Sequence, residues 1–384
     1  MNITHLCLAG MITDGWTYQE NLLISYHIKM GNNVSVITSQ WVYEAGNKLV
    51  KTKNNNYVSP EGAHYIRLPI KNRDKINNRF KRYTGIIEAL DIAKPDILFV
   101  HGLQFLDISV IAKYIKEHSN IRLYIDNHSD FSNSGKNWIS KNVLHGIIWK
   151  HYAQLIEPYT YKFYGVLPAR VDFLKYVYGL PNEKCELLVM GADDEKVEEA
   201  AQPEIRRSIR EKYGILEDDF LVMTGGKIDK WKTQTLLLMK AIQNINKGNV
   251  KLIVFGSVMQ ELQEQVQQLA DGKKVQYIGW IQSKDSYKYF GAADLVVFPG
   301  RHSVFWEQVT GQGIPMIVKD WPGTHHVDLG GNVKFLKEDS AKEIQGEIEN
   351  LLNNPDEYKR MKQVAMEKGM QVFSYKNIAE RALS

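Results

Sequence analysis

A chain of 384 residues, 44% hydrophobic and 24% charged, carries enough apolar material for a large core and for two α/β domains, which excludes a disordered or fibrous protein. Its formal net charge of +4 is too mild to specify nucleic acid, although it suits a protein that handles anionic ligands or visits an anionic membrane surface. The two cysteines, Cys7 and Cys185, stand far apart, so neither a disulfide framework nor a cysteine metal site is indicated and a reducing compartment is expected. The opening residues lack a basic leader, and no apolar run is long enough to span a bilayer. A cytoplasmic protein, at most peripheral on the inner face of a membrane, is expected.

In chain order, strand-like runs alternate with amphipathic segments: Ile3 to Ala9, a helix from about Tyr18 to Met30, then Asn33 to Thr38, Ile97 to His101 and Leu123 to His128. That alternation predicts a parallel sheet covered by helices. After Leu187 to Met190, the polar stretch Glu195 to Glu217 reads as an interdomain connection. A second series follows, with strands at Phe220 to Thr224, Lys251 to Phe255, Val275 to Ile278, Leu295 to Phe298 and Met316 to Val318. Helices are expected at about Thr233 to Ile245 and Met259 to Leu269. The fold class is therefore α/β with two doubly wound Rossmann-like domains, residues 1–195 and 196–370, and a C-terminal helix within 371–384 that could pack back on the N-terminal domain.

Two loops of the second series carry chemistry. Thr224-Gly-Gly-Lys-Ile-Asp-Lys-Trp-Lys-Thr233 places Gly225 and Gly226 at a strand end and three lysines before the next helix. Glycines let backbone approach a ligand, and lysines supply charge for phosphate. The glycine spacings match neither the Walker pattern nor the dinucleotide fingerprint. In the other loop, Pro299 to Glu307, Ser303 is the natural N-cap of the following helix, but the capping-box position holds Trp306 and the acid comes one step later at Glu307. That leaves its carboxylate free for another task. A helix starting there turns its unpaired N–H groups toward the crevice where α/β proteins bind anions or polyols.

These elements resemble the donor domain of nucleotide-sugar glycosyltransferases of the GT-B fold, glycosyltransferase family 4 in particular. Gly226-Lys227-Ile-Asp-Lys-Trp-Lys232 resembles the family's Gly-Arg-Leu…Lys loop; Tyr277-Ile-Gly-Trp-Ile281 falls at its base-contacting strand end, and Ala292 to Pro299 and Trp306 to Val318 at its later strand and glutamate helix. The resemblance implies two domains facing a cleft. It gives Lys227 and Lys232 to the donor diphosphate, Trp280 and Ile281 to the nucleobase, and Glu307 to the ribose diol. The family's first motif glutamate is missing. Arg301, His302 and Ser303 occupy a shortened loop, where His302 and the N–H groups of Val304 and Phe305 would hold sugar hydroxyls. In the N-terminal half, Gly15 resembles the glycine facing the donor phosphates and His128, in Asp126-Asn-His128, resembles the active-site histidine. Asn127 and His101 are further acceptor-side candidates, and His128, Lys232 and Glu307 are assigned to catalysis.

What the resemblance implies is a retaining transferase that needs no metal or cofactor and moves a hexosyl or N-acetylhexosaminyl unit from a nucleotide sugar, UDP-sugar first, to a glycan or lipid-linked glycan in bacterial surface polysaccharide or glycoconjugate synthesis. A sugar-nucleotide epimerase of the same fold and a non-catalytic sugar-nucleotide-binding subunit stay open as alternatives. Asp193 and Asp194 are expected to bind no metal. Aromatic and basic residues from Lys136 to Tyr164, with Arg73, Lys75, Arg79, Lys81 and Arg82, fit either a membrane interface or ordinary helix packing.

Overall fold

The computed structural model describes residues 1–44, 48–71, 75–247 and 249–384; Arg73 lies outside them. The chain forms two units, Met1–Val189 with Ile378–Ser384, and Met190–Asn377.

The first unit carries β1 (Asn2–Cys7), β2 (Asn33–Ser39), the antiparallel pair β3 (Trp41–Glu44) and β4 (Lys48–Lys51), β5 (Asn56–Val58), β6 (His64–Leu68), β7 (Ile97–His101), β8 (Arg122–Asn127), β9 (Thr160–Gly165) and β10 (Cys185–Leu187). Its main sheet has the order β10-β9-β8-β7-β1-β2-β6-β5, parallel except for β5. The order reverses beside β1, so β1 and β7 flank the switch point. Runs such as Ile97-Leu-Phe-Val, buried on both faces, are what a parallel strand between two helical layers requires.

In the second unit β11 (Phe220–Gly225), β12 (Val250–Phe255), β13 (Val275–Tyr277), β14 (Leu295–Phe298), β15 (Met316–Lys319) and β16 (Val333–Leu336) form an all-parallel sheet ordered β13-β12-β11-β14-β15-β16. This is the doubly wound Rossmann arrangement, with its switch point between β11 and β14. Val222, Leu252, Val254, Val297 and Ile317 form its core with Leu238, Met239 and Ile242 of the helix Gln234–Asn244.

One local expectation changes. The polar stretch after Asp193 is not a linker: it folds into the helices Asp194–Ala200 and Pro203–Lys212. Arg206 and Arg210 of the second helix both bind Asp294, at 2.6 and 3.2 Å. The acids that make this stretch look solvated lie on helix surfaces, while the few apolar residues and the arginines anchor it. Asp193 accepts from Glu195 N–H as an N-cap, and Asp194 accepts from the Ser374 hydroxyl and from Lys376 N–H. The last helix is Tyr375–Arg381, and residues 378–384 group with the first unit.

Candidate functional site

At the carboxyl end of β11 the chain turns through Gly226 at φ +122° and at the end of β12 through Gly256 at φ +128°. A side chain on Gly256 would fall 2.0 Å from the Gly226 carbonyl oxygen, so two backbones are locked together where the sheet ends. A pocket opens above them, lined by Gly226, Lys227, Phe255, Gly256, Ser257, Trp280, Ile281, Ser283, Ser286 and Phe305. Five of the residues expected at a nucleotide site, Gly226, Lys227, Trp280, Ile281 and Phe305, therefore meet in one place. Phe255 and Phe305 make the apolar wall, with ring centroids 6.2 Å apart, while Trp280 is 68% exposed at the rim. Ser257, Ser283 and Ser286 add hydroxyls that no sequence motif marked.

Lys232 follows a tight turn in which its N–H donates to the Asp229 carbonyl at 2.8 Å. Its side chain passes beside Gly300, and its ammonium lies beside Gly226, so it bridges the ends of β11 and β14. Burial lowers its pKa, Asp229 offsetting this in part, and among the described residues no carboxylate pairs with it within 4.0 Å. A partly desolvated cation with no partner at a switch point is suited to an anionic ligand. Arg301 stacks over Trp231 at 4.5 Å and closes the same edge.

The loop before the helix Phe305–Gly311 departs from expectation. Val304, not Ser303, occupies the N-cap, and no side chain caps the helix. Ser303 contributes its carbonyl to Trp306 N–H, and Val304 is exposed. Glu307 is fully buried and its carboxylate is not free: one oxygen accepts from His302 Nε2 at 2.8 Å and His326 Nε2 at 2.9 Å. His302 is thus turned onto Glu307 by its ring nitrogen instead of being a lone sugar contact. Burial pushes the Glu307 carboxyl up, but the two histidines outweigh it and hold the pKa at about 2. The second carboxylate oxygen, His326 Nδ1 and Trp306 Nε1 are buried without hydrogen-bond partners among the described residues. Buried polar groups are seldom left unpaired, so each keeps the capacity for one more hydrogen bond.

Chemically, His302, Glu307 and His326 could also ligate a metal, their ligating atoms lying within 4.8 Å of one another. The distances fit two N–H groups donated to one oxygen, and among the described residues His326 has no outer acceptor of the kind a metal-bound histidine usually has.

In the first unit, Gly15 turns at φ +72° beside Asp14, which pairs with buried Arg67. His128 follows β8 with its side chain 33% exposed and Nε2 3.4 Å from Asp126 Oδ2; burial disfavours its charged form, yet Asp126 outweighs burial and raises its pKa. Two acceptor-side expectations fail here. His101 is buried and engaged at both ring nitrogens, by Asp126 at 2.7 Å and His5 at 2.9 Å. Asn127 is fully buried, bonded to Gln104, Ser129 and the Arg170 carbonyl. Both sit on strand positions that turn inward.

Residues 205–368 match the sequence model described as Glycosyl transferases group 1. Similar solved structures include a glycosyltransferase from Rickettsia africae, 14% identical, covering 99% of this chain and 96% of that one at a TM-score of 0.70. Anabaena HepE, crystallised in complex with UDP, is 14% identical over 100% of this chain and 98% of that one at a TM-score of 0.65. Residues 205–368 carry a glycosyl transferases group 1 domain, and the fold is GT-B. An uncharacterised glycosyltransferase of Methanocaldococcus jannaschii is 20% identical over 166 residues, 42% of this chain and 40% of the length of that protein. Both lysines and Glu307 lie inside the group 1 domain, as does His326, which sequence reasoning missed. Its signal was weak: it lies in a three-residue 3-10 turn, His325–Val327, 19 positions beyond the acid it bonds.

Proposed function

We propose that this protein is a retaining, metal-independent glycosyltransferase that moves a hexosyl or N-acetylhexosaminyl unit from a UDP-sugar to a glycan acceptor, lipid-linked in the setting of bacterial surface polysaccharide synthesis. The observation that carries the reading is a pocket at the carboxyl edge of the second sheet, lined by Gly226, Lys227, Trp280, Ile281 and Phe305, with the partly desolvated Lys232 ammonium beside Gly226 and the buried Glu307 on the helix that Phe305 opens. The pocket wall of Phe255, Ile281 and Phe305 suits a flat base. Lys227 and Lys232 supply positive charge where a departing diphosphate gains negative charge, and the interaction grows as the bond to the sugar breaks. Glu307 offers its free oxygen to a ribose hydroxyl, with His302 and His326 fixing its orientation. On the first unit, His128 is the residue assigned to the reaction.

Supporting the donor choice, Anabaena HepE was crystallised with UDP-glucose as well as UDP; supporting the setting, WaaG, a glycosyltransferase involved in lipopolysaccharide biosynthesis, is 14% identical with a TM-score of 0.65 over 99% of this chain and 98% of that one. Among the described residues no helix is long and apolar enough to cross a membrane. Trp138, Ile139 and Ile147 are exposed near Lys136 and Lys141, a surface suited to peripheral contact with a bilayer.

The test is nucleotide release from a panel of UDP-, GDP- and dTDP-sugars, with and without glycan acceptors. Acceptor-dependent release of UDP is expected. Release without acceptor would instead mark an epimerase, and binding without release a non-catalytic subunit.

A further inference from the structure

Beneath His128 lies an unbroken file of buried rings. His27, in the helix Gln19–Lys29, sets Nε2 3.0 Å from the carbonyl oxygen of Ala379 and Nδ1 2.9 Å from His5 Nε2. His5 in β1 sets Nδ1 2.9 Å from His101 Nε2, and His101 sets Nδ1 2.7 Å from Asp126 Oδ2. All three rings are buried. The parallel pairing of β1 with β7 and of β7 with β8 brings these rings into line, with His101 directly opposite Asp126.

The ends of this file fix its protons. A carbonyl oxygen only accepts, so His27 Nε2 carries hydrogen; an ionised carboxylate only accepts, so His101 Nδ1 does too. Each of the two nitrogen-to-nitrogen contacts needs one hydrogen of its own. Four protons are required, and three neutral imidazoles supply three.

We infer that His27, His5 and His101 together hold one proton beyond the neutral set, a buried imidazolium that compensates Asp126 and leaves His128 free to take up and release its own. The role of His128 rests on the function proposed above; the proton count does not. The charge resides on His101, beside the carboxylate. The contact of His101 with the carboxylate places the charge there, and burial, which drives the His5 pKa well down and that of His27 to about 4 despite its carbonyl partner, disfavours it on the other two rings. Asp126, in spite of full burial, is held well below the usual carboxylate range by His101 and His128. The other titratable groups facing this region are Cys7, whose thiol burial keeps neutral, and Glu20 and Arg170, which act on His128 in opposite directions. His5, His27 and His101 are thus positioning residues: the cation repels a charge on His128 that Asp126 alone would favour.

The experiment is ¹⁵N-histidine NMR of the full chain from pH 6 to 9. One imidazolium among the three rings is expected at pH 8, with the other two neutral and protonated at Nε2; three neutral rings at pH 7 would overturn the inference. In His27→Phe a file of two rings satisfies every remaining contact with no extra proton, so the cation should disappear near neutrality and the His128 titration should rise by about one unit. In His27→Gln the amide can accept from His5 and donate to Ala379, which preserves both the count and the cation. Identical behaviour of the two variants would also overturn it. Nucleotide binding and release are read separately on the same samples, so a failure of the transferase reading leaves the ring count standing, and the reverse holds too.

Discussion

Asp126 in the first unit and Glu307 in the second are both fully buried carboxylates held by histidines, and the two settings are finished differently. Around Asp126 the protein supplies the partners itself: Gly102 N–H on one oxygen, His101 on the other, and beyond His101 a file of rings ending on a backbone carbonyl. Around Glu307 both histidines crowd one oxygen, leaving the other oxygen, His326 Nδ1 and Trp306 Nε1 bare. A closed network fixes charge and geometry; an open one keeps unmet valence for something that arrives. The same residue types thus do opposite work, and what separates them is whether the acid itself is satisfied: both Asp126 oxygens have partners and only the flanking His128 Nε2 is left over, whereas at Glu307 a carboxylate oxygen is bare, and an unpaired buried polar atom costs about 1–3 kcal/mol.

If the Asp126 network is closed, removing its acid should be the most damaging change in either cluster. Asp126→Ala strands a buried cation and should cost about 3–5 kcal/mol of stability, measured by urea unfolding at pH 7. A loss under 1 kcal/mol would mean that the rings do not depend on it. The acid dependence of Glu307 comes next. With a folded pKa near 2 against an ordinary 4.5, its ionised form contributes stability that is fully present above pH 4.5 and is lost as pH falls through 2. That contribution is on the order of 3 kcal/mol. Unfolding curves between pH 5 and 2 should fall less steeply in Glu307→Gln than in wild type, because Asp126 and Asp130 keep their own acid dependence in the variant.

Openness itself is tested by ligand. Lys232→Ala and Glu307→Gln should each raise the Kd for UDP-sugar about tenfold or more, a loss of roughly 1.5–3 kcal/mol per charge-assisted contact, read by calorimetry. Unchanged affinity in both would remove the pocket from the donor assignment. The smallest effect should be at Ser303. Because its side chain caps nothing, Ser303→Ala should alter stability by less than about 0.5 kcal/mol, whereas a true cap would cost about 1.

Much of this was legible before any coordinates. Strand and helix periodicity gave the α/β class, and the glycine-lysine turn with Trp280 and Ile281 marked where a pocket would open, because each feature is local in sequence. The departures are non-local. His5 and His27 look like ordinary core residues of a strand and a helix; only the β1-β7-β8 register joins them to His101 and Asp126. His101, at a strand end, reads in the sequence as an acceptor-side candidate, and the same register buries it. Ser303 was read as a cap from its residue type, but the helix begins one position further on. His326 acquires its role only through the folding of the segment after β15.

The interlocked glycine turns at the ends of β11 and β12 carry a consequence for anyone wishing to retune this protein. Where main chain touches main chain there is no side chain to exchange, so the floor beneath the ligand is fixed. New preferences must be written into the perimeter, at Ser257, Trp280 and Ser283, where substitutions alter contacts without moving the sheet that bears them.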